Sequence, residues 1–162
     1  MNKRTWLLAS LSALAVLTGC ATSSPQPATV ADTIARTPNL TVATKLINDA
    51  DLAATLRGAG PFTVFVPSDE AFKALPQAQL AQLQGNKDLL KSVLAYHVIP
   101  AELTSQAVSN TSKKTVNGES VSLAKAGPVV TIESAIVTEA DIKASNGIVH
   151  VIDTVLMPPK KR

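Results

Sequence analysis

Hydrophobic positions in the first part of the domain recur every three or four residues. Val30 and Ile34, for example, fall one helical turn apart and share a face. This spacing predicts three short helices between residues 30 and 58. Asp51 precedes the third of these helices, where its carboxylate is suited to act as the N-cap.

Two further segments combine a strand signal with a helix signal. The run Phe62 to Val66 is bulky and β-prone, and it is followed by Ser68, which predicts the N-cap of a helix. Asn86 predicts the cap of a longer amphipathic helix that ends near Tyr96. Another helical patch is predicted from Glu102 to Val108.

Later in the chain the pattern changes to that of strands separated by turns. Residues 148 to 157 carry apolar side chains on both faces, which is typical of a strand covered on both sides. Asn146 and Gly147 are predicted as the two residues of a hairpin turn. That turn sets an expected register, in which Ser145 lies opposite Ile148, Lys143 opposite His150, and Asp141 opposite Ile152. With helices early and strands late, the predicted fold class is α+β.

The N-terminal segment is typical of a signal peptide. Lys3 and Arg4 precede an apolar run too short to remain as a membrane span. The sequence Leu17-Thr18-Gly19-Cys20 resembles the lipobox of bacterial lipoproteins, and this resemblance implies diacylglycerol on the Cys20 thiol and cleavage before it. The alternative is ordinary secretion with an incidental cysteine. Ala21, where an aspartate would favour retention at the inner membrane, implies the outer membrane.

These features divide the chain into four parts. We expect a lipoprotein signal peptide at 1–19, a lipidated cysteine with a flexible tether at 20–29, a folded domain at 30–158, and a basic tail at 159–162. The tether is assigned because that stretch is polar and contains proline.

Composition and motifs exclude several classes of function. Without Lys3, Arg4 and the three basic residues at 160–162, ten basic residues stand against 12 acidic ones, so the domain lacks the charge of a nucleic-acid-binding protein. The chain has no Gly-x-Ser-x-Gly or His-Glu-x-x-His motif. His97 and His150 show no metal-ligand spacing, so neither a catalytic residue nor a metal or other cofactor is predicted.

Three stretches give the chain a resemblance to a single fasciclin domain. Gly60 to Phe72 resembles the first signature of that family, Tyr96-His97-Val98-Ile99 its tyrosine-histidine motif, and Asn146 to Pro158 its second signature. The resemblance covers about Val30 to Met157. It implies a wedge-shaped β-sandwich with several short helices covering one side, in agreement with the predicted order of elements.

The resemblance also implies function and candidate binding residues. Fasciclin domains are secreted or surface-anchored adhesion modules, usually without enzymatic activity. Two regions tied to receptor binding in animal relatives correspond here to Tyr96 with His97, and to Asp141 with Ile142. Ala140 stands where the animal segment often has proline, so the residues can match without the receptor matching.

Each candidate residue also has a structural interpretation. His97 is expected to be hydrogen-bonded at a helix-to-strand junction, with Asp69 as a conceivable partner. His150 is expected to be structural as well. Asp141 is either a solvated strand residue or a contact for a partner, and Ile142 is expected to pack in the core on the opposite face.

The sequence therefore predicts a non-enzymatic, lipid-anchored interaction module of the bacterial envelope. Its expected partner is an envelope or host-surface protein or polysaccharide, and its membrane contact is the N-terminal lipid; nucleic acid is excluded. The outer membrane is the first expected location, with the periplasm or secretion as alternatives. The alternative function is a periplasmic carrier of a small apolar ligand, and an enzyme ranks third.

Overall fold

The computed structural model describes residues 28–159. The expected signal peptide, Cys20, most of the tether and the last three basic residues lie outside the described residues. Within them, the helices are α1 (Val30–Arg36), α2 (Thr41–Asp49), α3 (Ala53–Leu56), α4 (Asp69–Ala74), α5 (Gln77–Gly85) and α6 (Lys87–Tyr96). The strands are β1 (Phe62–Pro67), β2 (Val98–Ile99), β3 (Thr111–Lys114), β4 (Ser120–Ala126), β5 (Val129–Ile132), β6 (Ala135–Ala144) and β7 (Gly147–Ile152).

Local capping signals were mostly, but not always, predictive. The Ser68 hydroxyl and the Asn86 side chain accept hydrogen bonds from backbone N–H groups in the first turns of α4 and α6, as predicted. The prediction that Asp51 caps α3 was wrong. Its backbone has a φ of 56°, and its carboxylate instead lies 2.6 Å from Lys87 Nζ at the start of α6. An ion pair with a distant helix replaced the local cap.

The seven strands form one continuous ladder in the order β2-β1-β7-β6-β5-β4-β3. Only β1 and β7 are parallel, and the other neighbours are antiparallel. β6 connects the two halves, because its first two residues pair with β5 and most of its later residues pair with β7. Past the end of β3, Val116 N–H donates to Val98 O at 2.8 Å, so the ladder nearly closes on itself. The α+β fold class is confirmed.

Alternate residues of β1 and β7 supply two separate hydrophobic cores. Val64 of β1 and Val149 of β7 face a core formed with the helices. Phe65 and Ile152 face the interior between the two halves of the sheet. The prediction of a strand covered on both sides is confirmed for Ile148 to Ile152, which are all buried. The predicted continuation to residue 157 was wrong, because β7 ends at Ile152 and both Asp153 and Thr154 are exposed.

The predicted hairpin register between β6 and β7 was wrong. The closing pair is Ala144 with Gly147, so the turn consists of Ser145 and Asn146. Lys143 lies opposite Ile148 rather than His150. Further along, register shifts between residues 137 and 142 keep Asp141 out of regular pairing, so it does not face Ile152.

The reason is that Asn146 and Gly147 serve tertiary contacts. The Asn146 amide accepts from Val30 N at 2.8 Å and donates to Leu56 O at 2.8 Å and Gly58 O at 2.7 Å, which joins the turn to α1 and α3. Gly147 lies against β1, where an added Cβ would be 1.9 Å from the carbonyl oxygen of Phe62. Glycine is needed here for close approach of two backbones, not for a positive φ.

The helical patch predicted from Glu102 to Val108 was also wrong. The segment forms an irregular loop with a single turn in which the N–H groups of Ala107 and Val108 donate to Thr104 O. The Leu103 N–H and carbonyl and the Ser105 N–H bond to side chains of the sheet instead of to other groups of the segment.

We predict that Gly147→Ala destabilises the domain by about 3 kcal/mol, because a methyl group cannot fit against the Phe62 carbonyl without separating β1 from β7. Urea unfolding measures the loss. Gly85→Ala is the matched control, since a Cβ at that helical position meets nothing within 4 Å. The control should gain about 0.5–1 kcal/mol. Equal stabilities of the two variants would contradict the close-approach role of Gly147.

Candidate functional site

Residues 101–108, here called the sheet-bound loop, are held by polar side chains from three adjacent strands. Thr63 of β1 is the first: its hydroxyl donates to Ala101 O at 2.6 Å and accepts from Leu103 N at 2.8 Å. Thr63 is fully buried, so the loop backbone supplies the hydrogen-bond partners that water would otherwise provide.

His150 of β7 is the second anchor. Its Nε2 lies 2.8 Å from Leu103 O, and its Nδ1 accepts from Asp141 N at 3.2 Å. This pair of bonds requires a neutral ring with the proton on Nε2. The ring is fully buried and stacked on Phe65 with centroids 5.1 Å apart. Burial lowers the pKa of His150 despite the opposing effects of the Leu103 carbonyl and Asp141.

Asp141 of β6 is the third anchor. Its carboxylate accepts from Ser105 N at 2.7 Å and from the Ser105 hydroxyl. Burial alone would raise the pKa of this carboxyl. The two Ser105 hydrogen bonds, with smaller effects of His150 and Lys125, hold the pKa below its ordinary value. Asp141 adopts a φ of 60° within the irregular part of β6, which aims its side chain at the loop.

The same contacts leave several side chains of the loop exposed. Glu102, Gln106 and Ala107 are exposed, as is Ala140 beside Asp141 on β6. We call these four residues the loop face. Ile142 does not belong to it, because Ile142 pairs with Val149 and packs against the helix-side core, on the side of β6 away from the loop.

Tyr96 and His97 lie at the end of α6, and both are buried. Tyr96 is 4% exposed, and its hydroxyl donates to Ser120 O at 3.4 Å. The ring of His97, 2% exposed, lies with Nδ1 2.7 Å from Val93 O and accepts from Leu156 N at Nε2, 3.1 Å away. His97 therefore joins α6 to the segment after β7.

Asp69, the conceivable partner of His97, has a different role. Its carboxylate accepts from the Thr41 hydroxyl at 2.7 Å and from Val42 N at 2.8 Å, at the start of α2. The suggested Asp69–His97 contact was wrong, because the imidazole satisfies both nitrogens with nearby backbone groups.

The structure does not bring the two predicted binding regions together. Tyr96 contacts Ser120 at the beginning of β4, and His97 contacts Val93 and Leu156. Asp141 contacts Ser105 and His150, and Ile142 pairs with Val149. Among the described residues, no hydrogen bond joins one pair to the other.

Ser105, Asp141 and His150 are neighbours but do not form a catalytic triad. In a triad the serine hydroxyl bonds to the imidazole and the carboxylate orients that ring. Here the Ser105 hydroxyl bonds to the carboxylate, and His150 receives the backbone N–H of Asp141. The remaining ring nitrogen lies against Leu103 O, so no free base faces the hydroxyl.

The described residues show no metal site, and the apolar cavity beneath the helices is too small for a ligand. Between residues 28 and 159, no three His, Cys, Asp or Glu side chains are placed to hold a metal ion. The enclosed apolar cavity beneath the helices, lined in part by Ile47, Leu52 and Leu94, has a volume of only about 10 Å³. That is about the space of one water molecule.

Sequence reasoning missed Thr63 and Ser105. Thr63 carried a usable signal, since it is a polar residue between Phe62 and Val64 in a strand predicted to be buried. Ser105 carried none, because its partner is 36 residues away.

A family model described as the fasciclin domain matches residues 38–158. Protein sll1483 of Synechocystis sp. is 36% identical over 147 residues, which cover 90% of this chain and 81% of the relative. The cell surface glycolipoprotein MPB83 of Mycobacterium bovis is 36% identical over 115 residues, covering 71% of this chain. This chain spans 51% of the length of MPB83.

A solved structure shares the fold. It is a FAS1 domain pair from the insect cell adhesion molecule fasciclin I, which superposes with a TM-score of 0.67 at 21% identity. The superposition covers 81% of this chain and 51% of the other. Helices long and apolar enough to cross a membrane are absent from residues 28–159.

We predict that stability falls as the pH is lowered from about 6.5 to about 4. Burial lowers the pKa of His97 from 6.5 to about 4, and lowers that of His150. Below pH 6.5 the unfolded chain therefore binds protons that the native state does not, so the free energy of unfolding decreases.

For His97 the slope approaches about 1.4 kcal/mol per pH unit within this window. Urea unfolding between pH 7 and pH 4.5 measures it. His97→Gln should be less stable at pH 7 but should show a smaller slope, since one titrating group is gone. Identical slopes in the wild type and the variant would contradict the prediction.

Proposed function

Because the chain belongs to the fasciclin domain family, we propose that it is a non-enzymatic adhesion and protein-interaction module of the bacterial envelope. The surface location of MPB83 and the role of fasciclin I in cell adhesion support this class of function. We propose further that lipid on Cys20 holds the domain at the outer membrane. The lipobox-like Leu17-Thr18-Gly19-Cys20 and the glycolipoprotein relative support the anchor.

One observation supports a binding role for the loop face more than any other. The buried side chains of Thr63 and His150 and the half-buried side chain of Asp141 come from three adjacent strands and fix an irregular loop. A loop ordered before binding loses less conformational entropy when a partner arrives. Binding loops on rigid sheets are a common way for proteins to present a specific surface.

In this proposal Asp141 and Ile142 affect binding indirectly, by holding the loop face in place. Asp141 holds Ser105, and Ile142 anchors the same part of β6 to the helix-side core. Tyr96 and His97 support the sheet from within, through Ser120 and Leu156. The direct contacts are made by Gln106, Ala107 and their neighbours of the loop face.

The proposed partner is a protein or polysaccharide of the same envelope or of a host surface. The loop face has few charged groups, so each contact is weak. Many copies on one membrane raise the effective concentration and convert weak contacts into stable adhesion. The alternative function, carriage of a small apolar ligand, has no support from the cavity of about 10 Å³ beneath the helices.

We predict that changes in the loop face reduce partner capture. The chain from Cys20 to Arg162 is attached to beads through the Cys20 thiol and incubated with solubilised envelope and host-surface extracts. Gln106→Lys places a charge on the loop face and should reduce capture at least tenfold. Asp141→Ala should also reduce capture, because it releases Ser105. A thermal unfolding curve checks that this variant is still folded.

Gln79→Lys is the matched control, since Gln79 is equally exposed but lies on α5. It should leave capture unchanged. Wild-type capture by folded Gln106→Lys would remove the loop face from the binding site. An equal loss of capture in Gln106→Lys and Gln79→Lys would indicate a nonspecific effect of charge. That result would also contradict the loop face as the binding site.

A second prediction concerns the anchor. Cys20→Ser should release the protein from the membrane fraction, because a serine hydroxyl does not replace the thiolate nucleophile that would carry the lipid. Fractionation of cells that express either form, with incorporation of labelled palmitate, measures this. Membrane retention of Cys20→Ser without labelled lipid would contradict the anchor.

A further inference from the structure

On the side formed by β4, β5 and the start of β6, the sheet is mostly exposed, and its charged groups lie at the edges. Alternate residues Val121, Leu123, Val130 and Ile132 are buried in the interior, so their neighbours point outwards. The outward side chains, here called the outer sheet face, are Ser122, Ala124, Ala126, Val129, Thr131 and Ile136.

Two large apolar residues on this surface are exposed. Val129 is 43% exposed and Ile136 is 46% exposed. Thr131 lies directly opposite Ile136 and two residues from Val129 along β5, so the two apolar groups are diagonal neighbours. Exposed apolar groups that adjoin on a flat sheet tend to mark a contact surface.

We propose that the outer sheet face binds the same face of a second copy of this chain on the same membrane. The orientation of the copies rests on the proposed lipid anchor. Ser145 N–H donates to Ala28 O at 2.8 Å, so the tether joins the domain beside the start of β7. The seven residues between Cys20 and Ala28 can reach at most about 25 Å.

This attachment leaves the outer sheet face free for sideways contact. Val137 lies opposite Ile152 at the far end of β7, so Ile136 is remote from the tethered end. A two-fold axis between two copies points both tethers towards one bilayer. Face-to-face contact between neighbouring copies is then compatible with a common membrane.

Charges beside the face also favour a second copy. Lys114 of β3 lies opposite Ser120, on one side of β4. Glu133 lies on the other side of β4, where its N–H donates to Ser122 O at 2.8 Å and its carboxylate accepts from Ser122 N. A two-fold axis along β4 brings the Lys114 side of each copy to the Glu133 side of the other.

The size of the face indicates a weak contact. Three strands about 4.8 Å apart, with about four residues of 3.3 Å along each, give a face of roughly 200 Å². A stable interface needs about 800 Å² on each partner. The copies are therefore monomeric in dilute solution and associate when a membrane concentrates them.

The test is energy transfer between copies on vesicles. The chain from Cys20 to Arg162 keeps every described residue, and Cys20, its sole cysteine, couples to a maleimide lipid in phosphatidylcholine vesicles. Donor and acceptor dyes are placed at the C-terminus by an enzymatic ligation. Transfer is compared with the value for randomly distributed copies at the same density.

We expect wild-type transfer at least twofold above the random value. Ile136→Lys should return it to the random value, whereas Val116→Lys, at a valine 44% exposed outside this face, should not. Lys114→Glu should also lower transfer, and mixing it with Glu133→Lys copies should restore it. Random transfer in the wild type, or no effect of Ile136→Lys, would overturn the proposal.

A different result would show that the outer sheet face binds lipid. If the chain with its Cys20 thiol blocked binds bare vesicles, and Ile136→Lys abolishes that binding, the face contacts the bilayer and the proposal is overturned. Chemical coupling makes the transfer experiment independent of cellular lipidation. Failure of the proposed anchor therefore appears in the Cys20→Ser fractionation, and failure of the copy-to-copy contact appears here.

Discussion

The parallel pairing of β1 with β7 is the constraint on which the rest of the molecule depends. Its closest point is Gly147 against the Phe62 carbonyl, where no side chain fits. Alternate residues of the two strands then pack into the helix-side core and the interior core. The turn before β7 ties α1 and α3 to the sheet through Asn146, and Ser68 N–H bonds to Ile152 O where α4 begins.

Polar groups buried in this sheet organise the surface. Thr63 and His150 would each destabilise the interior if left without partners, because an unsatisfied buried polar group costs about 1–3 kcal/mol. The sheet-bound loop supplies those partners through Ala101 and Leu103, and the half-buried Asp141 holds Ser105 of the same loop. The same hydrogen bonds that stabilise the core therefore fix the shape of the loop face.

The two exposed surfaces are proposed to have different uses. The loop face would present a preordered loop to a foreign partner, whereas the outer sheet face would bind a second copy. Association through the outer sheet face would raise the local number of loop faces, which strengthens multivalent adhesion. The candidate residues Tyr96 and His97 support the sheet from beneath the surface, since their side chains are almost fully buried.

Local interactions made part of the structure predictable from sequence alone. The caps Ser68 and Asn86, the double-sided burial of β7, the α+β class and the family resemblance all follow from neighbouring residues in the chain. Tertiary structure decided the hairpin register, the irregular loop and the roles of Asp141 and His150. Their partners lie tens of residues away, as with Ser105 and Asp141, so contact between distant segments, not local propensity, determined how each polar group was satisfied.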